Sequence, residues 1–273
     1  MIVLKLGGEL LEEASRLQGV VAALAAIAGQ TPVAVVHGGG KEIDIALKAA
    51  GIAKRQVDGL RITDDPTLEV VVSVLAGTVN TRLVAALTTA GVPAVGLSGA
   101  DAGCGLANPA PPHCAMDGRT VDLGHVGIPS DAANPGVVST LSGAGFVPVI
   151  ASIGLGVDGR LFNVNADTFA GHLAARLGAR RLVIAGTTAG VLDDRGETLP
   201  VLDRTAADRL IGSGTATAGM VAKLRACELA LAKGVGDVVI VDGRNRLDLV
   251  AAALEAPPDR ATRLVAAAAV ARA

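Results

Sequence analysis

Lys5 sits inside a short apolar run, Ile2-Val3-Leu4-Lys5-Leu6, that ends on Gly7-Gly8. A second run, Val33-Ala34-Val35-Val36, ends on His37-Gly38-Gly39-Gly40 and opens a helical pattern at Lys41-Glu42-Ile43-Asp44. Glycines directly after a buried strand let the backbone approach a ligand with no Cβ in the way. A helix that follows adds unpaired N–H groups and the positive end of its dipole. Each stretch alone is equally a tight turn that needs φ > 0. Two of them, ending neighbouring parallel strands and facing one pocket, make an anion site suited to phosphate. Neither fits the Walker or the dinucleotide pattern. By the two-residue period of a strand, Lys5 is also open to the ordinary reading of a solvent-facing side chain. A further lysine, Lys223, follows the small-residue turn Thr215-Ala216-Thr217-Ala218-Gly219-Met220, where a solvated helix position is the ordinary alternative.

Strands alternate with helical patterns along the whole chain, which places it in the α/β class with a mainly parallel sheet. Helices are expected over Leu17–Ala28, Lys41–Ala50, Leu68–Ala90 with Pro66 at its start, Asn134–Gly145, a segment ending at Leu177, Ala206–Ile211 and Ala218–Ala232. Buried strands are expected at Val92–Leu97, Phe146–Ile150, Leu182–Ala185 and Asp237–Val241. Val57–Thr63 reads as part of a rim hairpin, Ile153–Phe162 as a hairpin turning at Val157-Asp158-Gly159, and Cys104–Gly127 as an irregular hairpin over the site. Thr262–Ala269 reads as strand or helix. No linker separates the halves, so one sheet is expected to run through both.

Composition narrows the function. A hydrophobic fraction of 51% and a net charge of -2 over 273 residues describe a folded globule, not a nucleic-acid binder or a disordered chain. The aromatics are Phe146, Phe162 and Phe169, too few for base stacking. Cys104, Cys114 and Cys227 lack metal-site spacing. No segment reaches roughly 18 uninterrupted apolar residues and no signal-peptide layout opens the chain, so a cytoplasmic location is expected. His37 reads as a structural strand-end residue and Asp193-Asp194 as a turn; no metal site is expected.

Six stretches occur in the order and at the spacing of one family: Lys5-Leu6-Gly7-Gly8, His37-Gly38-Gly39-Gly40, Gly59-Leu60-Arg61-Ile62-Thr63, Gly124-His125-Val126-Gly127, Asn163-Val164-Asn165-Ala166-Asp167 and Gly219-Met220-Val221-Ala222-Lys223. In these the chain resembles the N-acetylglutamate kinases of the amino-acid kinase family. The resemblance covers essentially the whole chain and weakens after Arg246. It implies a three-layer αβα sandwich, with residues 1–175 as an acetylglutamate-binding and dimerisation lobe and 176–273 as an ATP-binding lobe. It also implies phosphorylation of the γ-carboxylate of N-acetyl-L-glutamate by ATP with Mg2+, in arginine biosynthesis, by a homodimer.

Carried over residue by residue, Lys5 and Lys223 contact the transferring phosphoryl group and Asp167 holds the two ammonium groups. The backbone of Gly7, Gly8 and Gly39 binds phosphate. Gly39, Gly40, Arg61 and Asn163 bind the acceptor, with Arg61 as the carboxylate clamp. By the same resemblance Thr187, Gly190, Leu192, Thr215, Ala216, Thr217 and Met220 are expected to bind ATP. The chain departs from the family at Gly186-Thr187-Thr188, where Thr-Asp-Val is usual, and at Ala218-Gly219-Met220, where Gly-Gly-Met is common. Two other readings stay open: a kinase for carrier-linked α-aminoadipate in lysine biosynthesis, and a non-catalytic amino-acid sensor on the same fold. Lys5 lies too close to Met1 for the extra N-terminal helix of arginine-inhibited hexameric members. The expectation is therefore a dimer insensitive to arginine, joined through the helix from Leu68 to Val84.

Overall fold

An eight-stranded sheet runs through the molecule from one end to the other. The structure, a computed structural model, describes residues 1–214 and 216–266. The strands are β1 (Ile2–Leu6), β2 (Val33–His37), β3 (Ala94–Ser98), β4 (Val147–Ala151), β5 (Arg181–Gly186), β6 (Val201–Leu202), β7 (Asp237–Asp242) and β8 (Ala261–Leu264). Their order is β6-β8-β7-β5-β1-β2-β4-β3. All neighbours pair parallel except β7 with β8. β1 lies centrally, with β2 on one side and β5 on the other, so the strand order reverses there and a crevice opens at the strand ends.

The helices are α1 (Ala14–Ala28), α2 (Gly40–Ala49), α3 (Asp65–Val72), α4 (Asn80–Thr89), α5 (Gly136–Gly143), α6 (Ala166–Arg176), α7 (Arg204–Gly212), α8 (Ala218–Ala232) and α9 (Arg246–Leu254). They cover both faces, which is why the strands read as continuous apolar runs rather than alternating ones. On one face Ile2, Leu4 and Leu6 pack with Leu24 of α1, Leu87 of α4 and Leu249 of α9. On the other, Val3, Ala34 and Ile184 pack with Leu173 of α6 and Leu224 of α8. Truncating a fully buried leucine such as Leu4 to alanine costs about 2–5 kcal/mol, so these two cores hold the strand ends in place.

Several boundaries differ from the sequence reading. The helix expected over Leu68–Ala90 starts at Asp65, where Asp64 caps it by accepting from Thr67 N–H at 3.1 Å. Its middle, Ser73–Val79, is wound as a π-helix. This 25-residue stretch, Asp65–Thr89, is long and apolar enough to cross a membrane by length and composition. Val71, Leu75, Val79, Leu83 and Leu87 are instead buried in the first core. The strand expected as buried at Val92–Leu97 is the edge strand β3, paired only to β4 and half-covered. α9 and the two-residue β6 have no counterpart among the expected elements: α9 follows the last matching motif, and β6 is too short to show a period. The tail expectation at Thr262–Ala269 is resolved as a strand at Ala261–Leu264, and its last three residues lie outside the described ones.

A smaller four-stranded sheet and two hairpins build the rim above the crevice. Ala107–Pro109 pairs with Val126–Pro129, which pairs with Leu161–Val164, which pairs with Ile153–Leu155. Gln56–Val57 pairs with Leu60–Arg61, and His113–Cys114 with Thr120–Val121. The first hairpin turns through Asp58 (φ 46°) and Gly59 (φ 81°), the primed geometry that matches strand twist.

Candidate active site

The period of β1 places Lys5 on the face of Val3, and that face is covered by helices, so solvent is not where its side chain goes. Lys5 is 8% exposed. α6 begins where Asn165 accepts from the N–H groups of Asp167 and Thr168 at 3.0 and 3.1 Å, which stands Asp167 on the first turn above the sheet. α8 crosses α6 closely at Gly171, where a Cβ would lie 3.1 Å from the Ala226 carbonyl oxygen. That approach brings Lys223 inward. Asp167 then bridges two cations, with Oδ1 2.9 Å from Lys5 Nζ and Oδ2 accepting from Lys223 Nζ at 3.3 Å. The Lys5 contact is an ion pair without hydrogen-bond alignment.

Burial opposes ionisation of Asp167, but the Lys5 and Lys223 ammonium groups overcome it and hold the carboxyl below its ordinary range. Burial, then repulsion from Lys5, pushes the Lys223 ammonium below the ordinary lysine value, against the pull of Asp167. Two ammonium groups share one carboxylate, so the cluster carries a net positive charge that invites an anion.

The glycine turns meet each other beside this group, where a Cβ on Gly38 would lie 3.5 Å from Cβ of Ala166, the residue before Asp167. A Cβ on Gly8 would lie 2.8 Å from Gly39 Cα, and one on Gly39 would lie 2.9 Å from Leu75 Cδ2. Gly7, Gly8, Gly38, Gly39 and Gly40 all lie outside the left-handed region. Close approach, not φ > 0, is therefore what glycine provides at Gly8 and Gly39. Gly8 and Gly40 open helical turns, where N–H groups have no partner within the helix.

Gly39, Gly40, Arg61 and Asn163 line one cleft of about 250 Å³ beside these turns. Arg61 reaches it from the first hairpin, donating to Asp44 Oδ1 at 2.5 Å and to the Gly40 carbonyl at 3.3 Å, with Nη1 buried and unpaired. Asn163 donates to Thr63 Oγ1 at 3.2 Å. Asp58, at the hairpin tip, accepts from Met116 N–H at 3.0 Å and lies 2.8 Å from His113 Nε2, pinning the second hairpin to the first.

His37 is fully buried, and burial lowers its imidazole to about 4. Its Nδ1 lies 3.2 Å from the Gly38 carbonyl and its Nε2 3.0 Å from Asn80 Nδ2. It is a neutral strand-end residue and is not placed to act as a base. Asn80 also donates to Val149 and Leu97 carbonyls, tying β2 to β4 and β3.

On the other side of β1, Thr187 and Leu192 line a cleft of about 540 Å³ together with Thr188, Arg244, Asp259 and Arg260. The other residues expected here divide. Gly190 (φ 77°) is buried against Thr262, whose Oγ1 accepts from Val191 N–H at 2.7 Å. Ala216 and Met220 pack on the second core, and Thr217 caps α8 by accepting from Met220 N–H at 3.4 Å. Thr215 lies outside the described residues. Asp193 accepts from the N–H groups of Arg195 and Glu197, which makes Asp193-Asp194 a turn. Among the described residues no three His, Cys, Asp or Glu side chains gather as a metal site.

The sequence profile of the Amino acid kinase family matches residues 1–242. The chain belongs to the amino-acid kinase family. It is 42% identical over 250 residues to an acetylglutamate kinase of Acidiphilium cryptum, covering 89% of this chain and 83% of that one. It is 40% identical over 251 residues to the acetylglutamate kinase of Methanopyrus kandleri, covering 91% and 97%. Among solved structures it is similar to an N-acetylglutamate synthase of Neisseria gonorrhoeae, with a TM-score of 0.80 and 24% identity over 97% of this chain. The chain spans 59% of that synthase's length. A Giardia lamblia carbamate kinase shares the fold at a TM-score of 0.70 and 16% identity over 97% of this chain and 98% of that one. In this family frame, sequence reasoning missed Asp44, Asp58 and His113, whose partners are 17 to 58 residues away in the chain. Arg244 escaped because it lies beyond the matched motifs.

Proposed function

We propose that the protein transfers the γ-phosphoryl group of ATP to the γ-carboxylate of N-acetyl-L-glutamate, the reaction named in its 40–42% identical relatives. The observation that carries the reading is the Lys5–Asp167–Lys223 bridge beside two abutting glycine turns.

The acceptor carboxylate, with a reference pKa near 4.3, is ionised at neutral pH and needs no general base. Its oxygen forms the bond to the γ-phosphorus as the bond to the β–γ bridging oxygen breaks, and ADP carries that electron pair away. The protein's part is positioning and charge stabilisation. Lys5 and Lys223 neutralise charge on the moving phosphoryl group, Asp167 keeps the ammonium groups apart and aimed, and the N–H groups of Gly8 and Gly39 donate to phosphate oxygens. Arg61 holds the acceptor's α-carboxylate through its planar fork, with Asn163 and the Gly40 amide beside it.

The 250 Å³ cleft suits a small dicarboxylate and the 540 Å³ cleft a nucleotide, which supports residues 1–175 as the acceptor lobe and 176–273 as the ATP lobe. Thr187 and Leu192, with Arg244, are the contacts to ATP, while Gly190, Ala216, Thr217 and Met220 shape the lobe beneath it. ATP enters as its Mg2+ complex. The carboxylate of Glu9 lies beside the strand ends at Gly7 and Gly186, and among the described residues no cation pairs with it, so it fits such a cation. A homodimer joined along the helix from Leu68 to Val84, working in the cytoplasm, completes the reading.

Incubation with ATP and N-acetylglutamate in hydroxylamine tests it, because the acyl phosphate is trapped as a hydroxamate. Turnover only with carrier-linked α-aminoadipate favours the lysine-pathway kinase, and turnover with neither acceptor favours the sensor.

A further inference from the structure

Glu9 is a charged side chain at the ends of β1 and β5 that the transfer mechanism leaves unused. It is the second residue of the 3-10 turn Gly8–Leu10 that follows β1. Its carboxylate folds back over Gly7 and Gly186, the residue after β1 and the last residue of β5. A Cβ on Gly186 would lie 3.3 Å from Glu9 Oε1, and a Cβ on Gly7 would run into the carboxylate itself. β1 and β5 are neighbours, with Leu6 opposite Ala185, so the carboxylate spans the seam between them. Neither glycine has a left-handed backbone. The carboxylate lies in the space that the two side-chainless positions leave open.

Nearby cations are engaged elsewhere. Lys5 and Lys223 pair with Asp167. Arg16 donates to the Glu9 backbone carbonyl but directs its charge to Glu13 at 3.2 Å. Among the described residues no cation lies within 4.0 Å of the Glu9 carboxylate. A carboxylate held over a phosphate-binding seam repels the phosphates unless a cation lies between.

We propose that Glu9 holds the divalent cation that accompanies the ATP phosphates. Mg2+ is bound in this way by one or two carboxylates plus substrate phosphates, keeping several of its waters. Glu9 supplies the hard oxygen for it at the seam of β1 and β5. The assignment rests on reading the crevice as the ATP-phosphate site.

The test is equilibrium binding of ADP to wild type, Glu9→Gln and Glu9→Asp, each with MgCl2 and with EDTA. Water-proton relaxation of Mn2+ with ADP is a second readout. Wild type gains affinity when the metal is present. In Glu9→Gln that gain falls about tenfold or more, the size typical of losing a group that orients a metal. Metal-free ADP binds the variant at least as tightly, because a repulsion is gone. Glu9→Asp, charged but shorter, falls between the two. A Glu9→Gln protein that keeps the full metal-dependent gain overturns the assignment. So does equal loss of affinity with and without metal, which marks a structural role. Wild type that binds no ADP in either condition overturns the ATP reading itself, a result distinct from both.

Discussion

The two clefts beside β1 are built on different principles. The cleft proposed for the acceptor is walled by side chains that other side chains hold: Arg61 by Asp44, Asn163 by Thr63, and the hairpin tip Asp58 by His113 and Met116 N–H. The cleft across β1 is lined by small residues, Thr187, Thr188 and Ala189, beside the charged side chains of Arg244, Asp259 and Arg260. Of these, Arg244 forks onto Asp242 and is half-exposed. A small acid must be recognised by a few exact contacts, since a bidentate fork discriminates where a point charge does not. A nucleotide offers a long polyanion and a flat ring, which backbone N–H groups and a shaped slot can hold. Between the clefts stands the Lys5–Asp167–Lys223 group, assembled from β1, α6 and α8.

The largest change is expected at that shared centre. Lys5→Ala or Lys223→Ala lowers kcat by about 10²-fold or more with little change in either KM, because each charge acts mainly on the transition state. Steady-state kinetics with both substrates check this, and an unchanged kcat breaks the assignment.

The pH profile comes next. Burial lowers the Lys223 pKa from its ordinary 10.5, so the free enzyme loses that charge earlier in the alkaline range than an ordinary lysine would. kcat/KM for ATP, which reports the free enzyme, falls about tenfold per pH unit above that lowered value. Lys223→Arg carries the same charge and moves the fall to higher pH. Asp167 works in the opposite range. Its folded pKa is depressed, so its contribution to stability is complete above its ordinary 3.8 and is lost as pH falls through the lower folded value. Urea midpoints measured from neutral to acid pH follow that loss, and Asp167→Asn removes this component.

Arg61→Lys separates the clefts. The acceptor KM rises about tenfold, the worth of a charge-assisted hydrogen bond of about 1.5 kcal/mol, while KM for ATP stays put. The reverse result reassigns the lobes. The smallest effect is at Arg244, half-exposed and already paired. Arg244→Ala raises KM for ATP about two- to fivefold, in keeping with a solvent-screened contact of less than 1 kcal/mol, and leaves the acceptor KM unchanged.

What the sequence by itself determined was local. Apolar β-branched runs at Ile2–Leu6 and Val33–His37, the glycines that end them, and helix patterns such as Ala218–Ala232 are written in neighbouring residues. The α/β class and the single sheet running through both halves followed from those signals, while the roles expected of Asp167, Arg61 and Asn163 came from the family resemblance. The tertiary structure decided where those residues go. That Lys5 is buried depends on α6 and α8 covering its face of the sheet. That Gly8 is glycine for space and not for φ depends on Gly39, which arrives from another strand. The same holds for the Asp58–His113 pin, 55 residues apart in the chain. It holds too for the edge position of β3, which strand order alone sets. Spacing along a chain reports one element's period. Distances between elements arise only when loops have closed and both cores have packed.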